Sequence, residues 1–174
     1  QPACGDSMNA NLDAGKRIWL VPGVRTPFAR VDGGLGGLDA VALSVPVAKA
    51  MGAQAAGGRP DLMVWGTVAS NLGWSNIARE VLIDAGLDQA TPAFTTVLAC
   101  STSMVAAFEA AGMLGGDMQL ALVGGVESMS RVQIALSQGL SDWLRRLTQA
   151  RTVGERIDRL LAIRVADVKL HVPG

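Results

Sequence analysis

Two cysteines, Cys4 and Cys100, are the whole thiol content of the 174 residues, and they form no Cys-x-x-Cys pair. Neither a zinc site nor a disulfide framework has a basis here, so a reducing compartment is expected. Histidine is scarcer still, with His171 alone in Leu170-His-Val-Pro173. No apolar run reaches the roughly 20 residues of a membrane helix, and no charged-then-apolar leader marks a signal peptide. An excess of either charge sign is also missing: Lys and Arg number 15 and Asp and Glu 15, so overall charge says nothing for acidic partners, and no nucleic acid is expected. The glycine cluster Gly33-Gly-Leu-Gly-Gly37 lacks the Gly-Lys-Ser/Thr ending and the strand-to-helix placement of a phosphate loop, and reads as a flexible turn.

What is present is apolar mass. Hydrophobic residues make up 49% and charged residues 17%, the balance of a soluble chain with more interior than a lone small domain needs. Charge is uneven along it, with 7 basic and 11 acidic side chains in residues 1–130 against 8 basic and 4 acidic in 131–174. Residues 1–15 are polar and read as a flexible leader. The chain opens at Gln1 and closes at Val172-Pro173-Gly174, and both ends are expected to be cut.

From Lys16 the pattern alternates. Strands are expected at Arg17–Val21, Asp61–Val68, Phe94–Ala99 and Gln119–Val123. Helices are expected at Leu38–Ala56 with an irregularity at Pro46, at Ile77–Ala85 capped by Ser75 or Asn76, and at Thr102–Leu114. This βαβαβαβ order argues an α/β fold with a largely parallel, mixed sheet. Beyond it, Ser141–Ala150 and Val153–Ile163 read as two short helices rich in arginine. The helix from Thr102 carries one charge, Glu109, and a helix apolar on nearly every face is expected to be buried between layers. Too few strands remain to cover its outer side, so missing sequence or a partner is expected to do so.

Cys100 stands at the junction of a short apolar run and that helix, with Ser101, Thr102 and Ser103 as possible N-caps. The positive end of a helix dipole favours a thiolate, and a cysteine so placed is a candidate covalent nucleophile. The competing reading is a small buried apolar residue.

In order, Arg25-Thr-Pro-Phe28, Trp65-Gly-Thr-Val68, Ser75-Asn-Ile-Ala-Arg-Glu80, Ala99-Cys-Ser-Thr-Ser103 and Gly124-Gly-Val-Glu-Ser-Met-Ser130 resemble the N-terminal half of a thiolase. The arginine-rich stretch from Ala150 is similar to the loop region of thiolases of the trifunctional-complex beta-subunit type. After the leader at 1–15, the resemblance implies an N-terminal α/β domain at 16–131 lacking its last strand, and the start of a basic helical loop domain at 132–174. It implies an acyl-CoA acyltransferase of fatty-acid β-oxidation, with Cys100 as nucleophile, no bound cofactor, and coenzyme A as co-substrate. Cleavage of 3-ketoacyl-CoA and the reverse condensation are both within that chemistry. A homo-oligomer, or a subunit of a fatty-acid-oxidation complex, is implied for the full-length protein, in the cytoplasm or in a eukaryote's mitochondrial matrix.

Two departures blur the subfamily and the acyl length: Ser101-Thr102-Ser103-Met104 replaces the usual Ser and Gly after the cysteine, and Val97 stands where many members carry Asn. The activating His, in a Gly-His-Pro setting, and the second acid/base Cys belong to a C-terminal half that this sequence lacks. His171 is not read as the base, because a chain end rarely holds a group within reach of the sulfur. Glu127 reads as a hydrogen-bonding loop residue and Cys4 as an exposed thiol without a role. Met129 is a candidate for lining an acyl pocket, with a core position as the alternative. Arg145, Arg146 and Arg151 are candidates for the phosphates of coenzyme A, with a solvated helix face as the alternative. A ketoacyl-synthase-type condensing enzyme and a non-catalytic acyl-CoA or partner-binding module are the other readings.

Overall fold

The computed structural model of the chain describes residues 17–21, 23–55, 59–69, 71–133, 135–163 and 170–171. Its elements run α1 (Ala40–Gln54), β1 (Leu62–Gly66), α2 (Ile77–Asp84), β2 (Ala93–Thr96), α3 (Thr102–Met113) and β3 (Ala121–Gly125). A 3-10 turn (Met129–Arg131), β4 (Ala135–Leu136), α4 (Gln138–Thr148), α5 (Val153–Leu161) and β5 (Leu170–His171) follow.

β1 is the centre. Leu62-Met-Val-Trp65 is a continuous apolar run, as a parallel strand covered on both faces requires, and every residue of β1 is buried. It pairs in parallel with β2 on one side and β3 on the other, giving the order β2-β1-β3. Alternate side chains point to opposite faces. Met63 and Trp65 join Ile77, Val81 and Leu82 of α2 and Ala48 of α1 in one cluster. Leu62 and Val64 meet Ala106 and Ala110 of α3 in the other. The result is a three-layer α/β arrangement with α1 and α2 on one face and α3 on the other.

Local chemistry sets the helix starts. Asp39 caps α1 by accepting from the Ala42 N–H at 2.8 Å. Asn76 caps α2: its Oδ1 accepts from the Arg79 N–H and the Thr95 hydroxyl, and its amide donates to the Ala93 carbonyl. α2 then stops at a glycine, Gly86, with φ of 69°, where a left-handed residue ends the helix. Pro46 lies inside α1.

The structure departs from the sequence expectations in several places; β1 stops at Gly66, two residues short of Val68, and α4 begins at Gln138, three before Ser141. Arg17–Val21 forms no strand: Trp19, Leu20 and Val21 are 78%, 86% and 70% exposed and border a cleft of about 910 Å³ that also runs along β3. A strand needs a hydrogen-bonding neighbour about 4.8 Å away, and this segment has none among the described residues. β2 ends at Thr96, three residues before Ala99, because its register partner β1 ends at Gly66. Past that point the Leu98 N–H turns to the Thr102 hydroxyl instead of a ladder.

α3 is covered on one face only, as the shortage of strands predicts. Ala106 and Ala110 are buried, whereas Met104, Phe108 and Met113 are 57%, 71% and 45% exposed, because the strands beneath are its packing partners and no described element lies above it. Finally, β4 and β5 form a separate antiparallel pair that the residue pattern does not announce. The leader 1–15 with Cys4, and Arg164, lie outside the described residues. For His171 only the backbone, paired with Ala135, is described.

Candidate active site

All three parallel strands point their carboxyl ends the same way, at Gly66, Thr96 and Gly125, and in open α/β sheets that edge is where ligands bind. Three connections leave it: residues 67–76 after β1, 97–101 after β2 and 126–128 after β3. Cys100 is on the second of these, with an exposed, free thiol, so the buried-apolar alternative is set aside.

The turn around Cys100 is strained and held. Ala99 has φ of 43°, a left-handed value uncommon for a residue with a Cβ. Thr102 staples it, since its Oγ1 accepts from the Leu98 N–H and donates to the Ala99 carbonyl, each at 2.8 Å. The sequence suggests Ser101 as a side-chain cap, but Ser101 makes no such bond, and Thr102 turns its hydroxyl back onto the loop. The N–H groups of Ser101 and Thr102 are engaged by the Leu98 and Ala99 carbonyls, and the first intrahelical bond runs from Val105 N–H to the Ser101 carbonyl. Between them stand the N–H groups of Ser103 and Met104, the kind that a helix start leaves without an intrahelical acceptor. They and the helix dipole lie next to the sulfur-bearing residue.

Two glycines let the first turn of α3 lie directly on the strand ends. A Cβ at Gly66 would strike Thr102 Cγ2 and come within 2.6 Å of the Thr96 carbonyl. One at Gly125 would lie 3.0 Å from Ser103 Cβ. Both glycines stand in strings noted above, Trp65-Gly-Thr-Val68 and Gly124-Gly-Val-Glu-Ser-Met-Ser130, but their packing role is visible only once the strands are adjacent.

Glu127 is the hinge pin of the neighbouring loops. Its carboxylate accepts from the Thr67 hydroxyl at 3.2 Å, the Val68 N–H at 2.9 Å and the Ala69 N–H at 3.3 Å. That is the hydrogen-bonding role expected of it. Met129 begins the 3-10 turn with a 57% exposed side chain, so it is not a core methionine. On either side of it, Ser128 donates to the Leu38 carbonyl and Ser130 accepts from the Asp32 N–H, pinning the 30s loop to this edge.

The three arginines sit apart from this network. Arg145 and Arg146 are exposed in the last turn of α4, and Arg151 is exposed just beyond it. Arg145 forms an ion pair with Asp142 at 3.5 Å, an exposed pair of the kind that contributes little. α4 and α5 are tied to each other by Trp143 Nε1 donating to the Arg159 carbonyl and by the Arg159 guanidinium on the Arg146 carbonyl. Among the described residues no hydrogen bond or ion pair joins Arg145, Arg146 or Arg151 to the Cys100 turn.

Residues 18–161 match the family model described as the thiolase N-terminal domain. The chain is 33% identical over 159 residues to a 3-ketoacyl-CoA thiolase of Vibrio cholerae, covering 89% of this chain and 36% of that protein. A 3-ketoacyl-CoA thiolase of Photobacterium profundum is also 33% identical, over 92% of this chain and 37% of its own length. Among solved structures, the acetyl-CoA acetyltransferase of Bacillus anthracis superposes with a TM-score of 0.62 at 29% identity, covering 66% of this chain and 30% of its own. The Acat5 thiolase of Ascaris suum, solved in complex with coenzyme A, gives 0.62 at 28% identity, over 66% of this chain and 31% of that one. The chain thus spans about a third of the length of the relatives it matches.

Proposed function

This chain belongs to the thiolase family, and we propose on that footing that it carries the nucleophile of an acyl-CoA acyltransferase, with Cys100 in that role. The observation that supports it is the exposed Cys100 thiol on a strained turn at the start of α3, at the carboxyl edge of a parallel sheet. In the cleavage direction the sulfur attacks the 3-keto carbonyl of 3-ketoacyl-CoA, and the C2–C3 bond breaks. The carbon left behind takes a proton and departs as acetyl-CoA. The acyl-cysteine then passes its acyl group to the thiol of free coenzyme A, whose sulfur forms the new thioester as the Cys100 sulfur leaves. Unengaged N–H groups next to Cys100 suit the oxyanion of each tetrahedral stage.

In this reading, residues in the two thirds of the relatives' length that this chain does not span speed these proton transfers as acid and base, and without them water stands in, so that the Cys100 adduct forms and discharges slowly. Met129, exposed at the same edge, contributes to the acyl-binding wall. Arg145, Arg146 and Arg151 offer guanidinium groups to the coenzyme A phosphates from the helical excursion. Residues 16–131 act as the α/β domain and 132–174 as the start of its loop domain. The sheet's missing last strand enters the cleft along β3, bordered by Leu120 to Val126 on one side and Trp19 to Val21 on the other. The uncovered face of α3 fits the second, similar sheet of the full-length protein, which acts as a homo-oligomer or within a fatty-acid-oxidation complex, in the cytoplasm or the mitochondrial matrix. No helix among the described residues is long and apolar enough to cross a membrane.

Protection tests the site. Preincubation with acetoacetyl-CoA should slow alkylation of Cys100 by iodoacetamide while leaving Cys4 unprotected. Equal labelling of Cys100 with and without acetoacetyl-CoA would count against the assignment.

A further inference from the structure

α3 is apolar along Thr-Ser-Met-Val-Ala-Ala-Phe-Glu-Ala-Ala-Gly-Met with a single charge, Glu109. A carboxylate on a half-buried helical face loses hydration and is kept only where it has a partner. Glu109 has one: its Oε1 accepts from the hydroxyl of Thr96 at 3.2 Å, while its Oε2 is buried with no hydrogen-bond partner among the described residues. Thr96 is the last residue of β2, is 9% exposed, and precedes Cys100 by four positions. The residues between are Val97 and Leu98, both exposed, and the strained Ala99.

A residue held at positive φ persists only where its surroundings over-determine it. Downstream of Ala99 that constraint is Thr102. Upstream it is Thr96, fixed through its backbone by the pairing with Gly66 and through its side chain by Glu109.

We propose that Glu109 is a positioning residue: through Thr96 it anchors the strand end from which the Cys100 turn departs, so that the sulfur is presented to the start of α3. The nucleophilic role of Cys100 rests on the function proposed above, but the positioning itself can be tested without it. Because Cys100 is already exposed, loosening the turn adds no access to the thiol; it removes the alignment with the helix N–H groups.

The test is the second-order rate of Cys100 alkylation by iodoacetamide in the whole chain, followed by peptide mass, for Thr96→Val, Thr96→Ser, Glu109→Ala and Glu109→Gln. Urea unfolding of each protein fixes the conditions under which it is folded. Thr96→Val and Glu109→Ala should slow the reaction about tenfold or more, whereas Thr96→Ser and Glu109→Gln, which keep donor and acceptor, should stay within about twofold of wild type. If Glu109→Ala does not fold, Thr96→Val carries the test, because it preserves side-chain volume. Unchanged or faster alkylation in Thr96→Val overturns the proposal, as does equal slowing in the conservative variants, which a general loss of packing would produce. Should wild type fail to form an acyl adduct while this rate pattern holds, the proposed function fails and the positioning stands.

Discussion

At the scale of single residues, glycine and cysteine divide the work at the sheet's carboxyl edge. Gly66 makes room for Thr102, and Thr102 holds the turn that displays Cys100. Gly66→Ala should therefore destabilise the chain by about 1–3 kcal/mol, since the added methyl meets backbone and a stapled side chain that have no room to give. Gly112, in α3 with nothing within 4 Å of its added Cβ, should do the opposite. Gly112→Ala removes a flexible helix residue and should stabilise by about 0.5–1 kcal/mol in the same urea titration. Cys100 was legible as a candidate nucleophile because strand-to-helix junctions with hydroxyl residues are a local pattern. Thr96 and Glu109 were not, because 13 residues separate them and only the packing of α3 onto β2 brings them together.

At the scale of elements, apolar runs and caps located most of the fold. Of the two caps the residues offer for α2, Asn76 serves; Asp39, which caps α1, lies within the helix expected from Leu38, and β1 lies within the strand expected at Asp61–Val68. Arg17–Val21 has the composition of a strand but not the neighbour, and pairing is a property of two segments that one segment's residues do not encode. β2 ends early for the same reason, being limited by β1.

The β1 and β3 starts are joined by Asp61, whose carboxylate accepts from the N–H groups of Gln119 and Leu120 at 2.8 and 2.9 Å. Those two bonds, first Gln119 and then Leu120, hold its pKa below the usual carboxylate range, with a smaller pull from the Arg59 charge and a small opposing effect of burial. A lowered folded-state pKa means that the stabilisation is present above the unfolded value of about 3.9 and is lost as pH falls through the folded value. The urea midpoint of the wild type should thus fall more steeply than that of Asp61→Asn between about pH 5 and pH 2. In the core, Trp65 Nε1 donates to Ser44 Oγ at 3.0 Å, with both residues buried. Ser44→Ala leaves that donor without its acceptor and should cost about 1–3 kcal/mol.

At the scale of the whole molecule, two surfaces are incomplete. One is the outer face of α3, where Met104 and Phe108 are exposed. The other is the β3 edge along the cleft. Large apolar side chains left bare on an uncovered helix face favour association, so the chain should self-associate in sedimentation at rising concentration. Phe108→Glu should weaken that association without lowering the urea midpoint, because its ring is 71% exposed and little packing is lost.

The sequence pointed to this incompleteness through a helix with one charge. It did not show which face would stay bare, since that depends on the sheet's order.

The central claim is that Cys100 accepts the acyl group released when the C2–C3 bond of a 3-ketoacyl-CoA breaks. Peptide mass analysis after incubation with acetoacetyl-CoA, wild type beside Cys100→Ser, tests it most directly. An acetyl adduct on the peptide containing Cys100, absent from the variant and discharged by added coenzyme A, is the predicted result. A folded wild-type chain with no adduct, or an adduct that persists in Cys100→Ser, would contradict it.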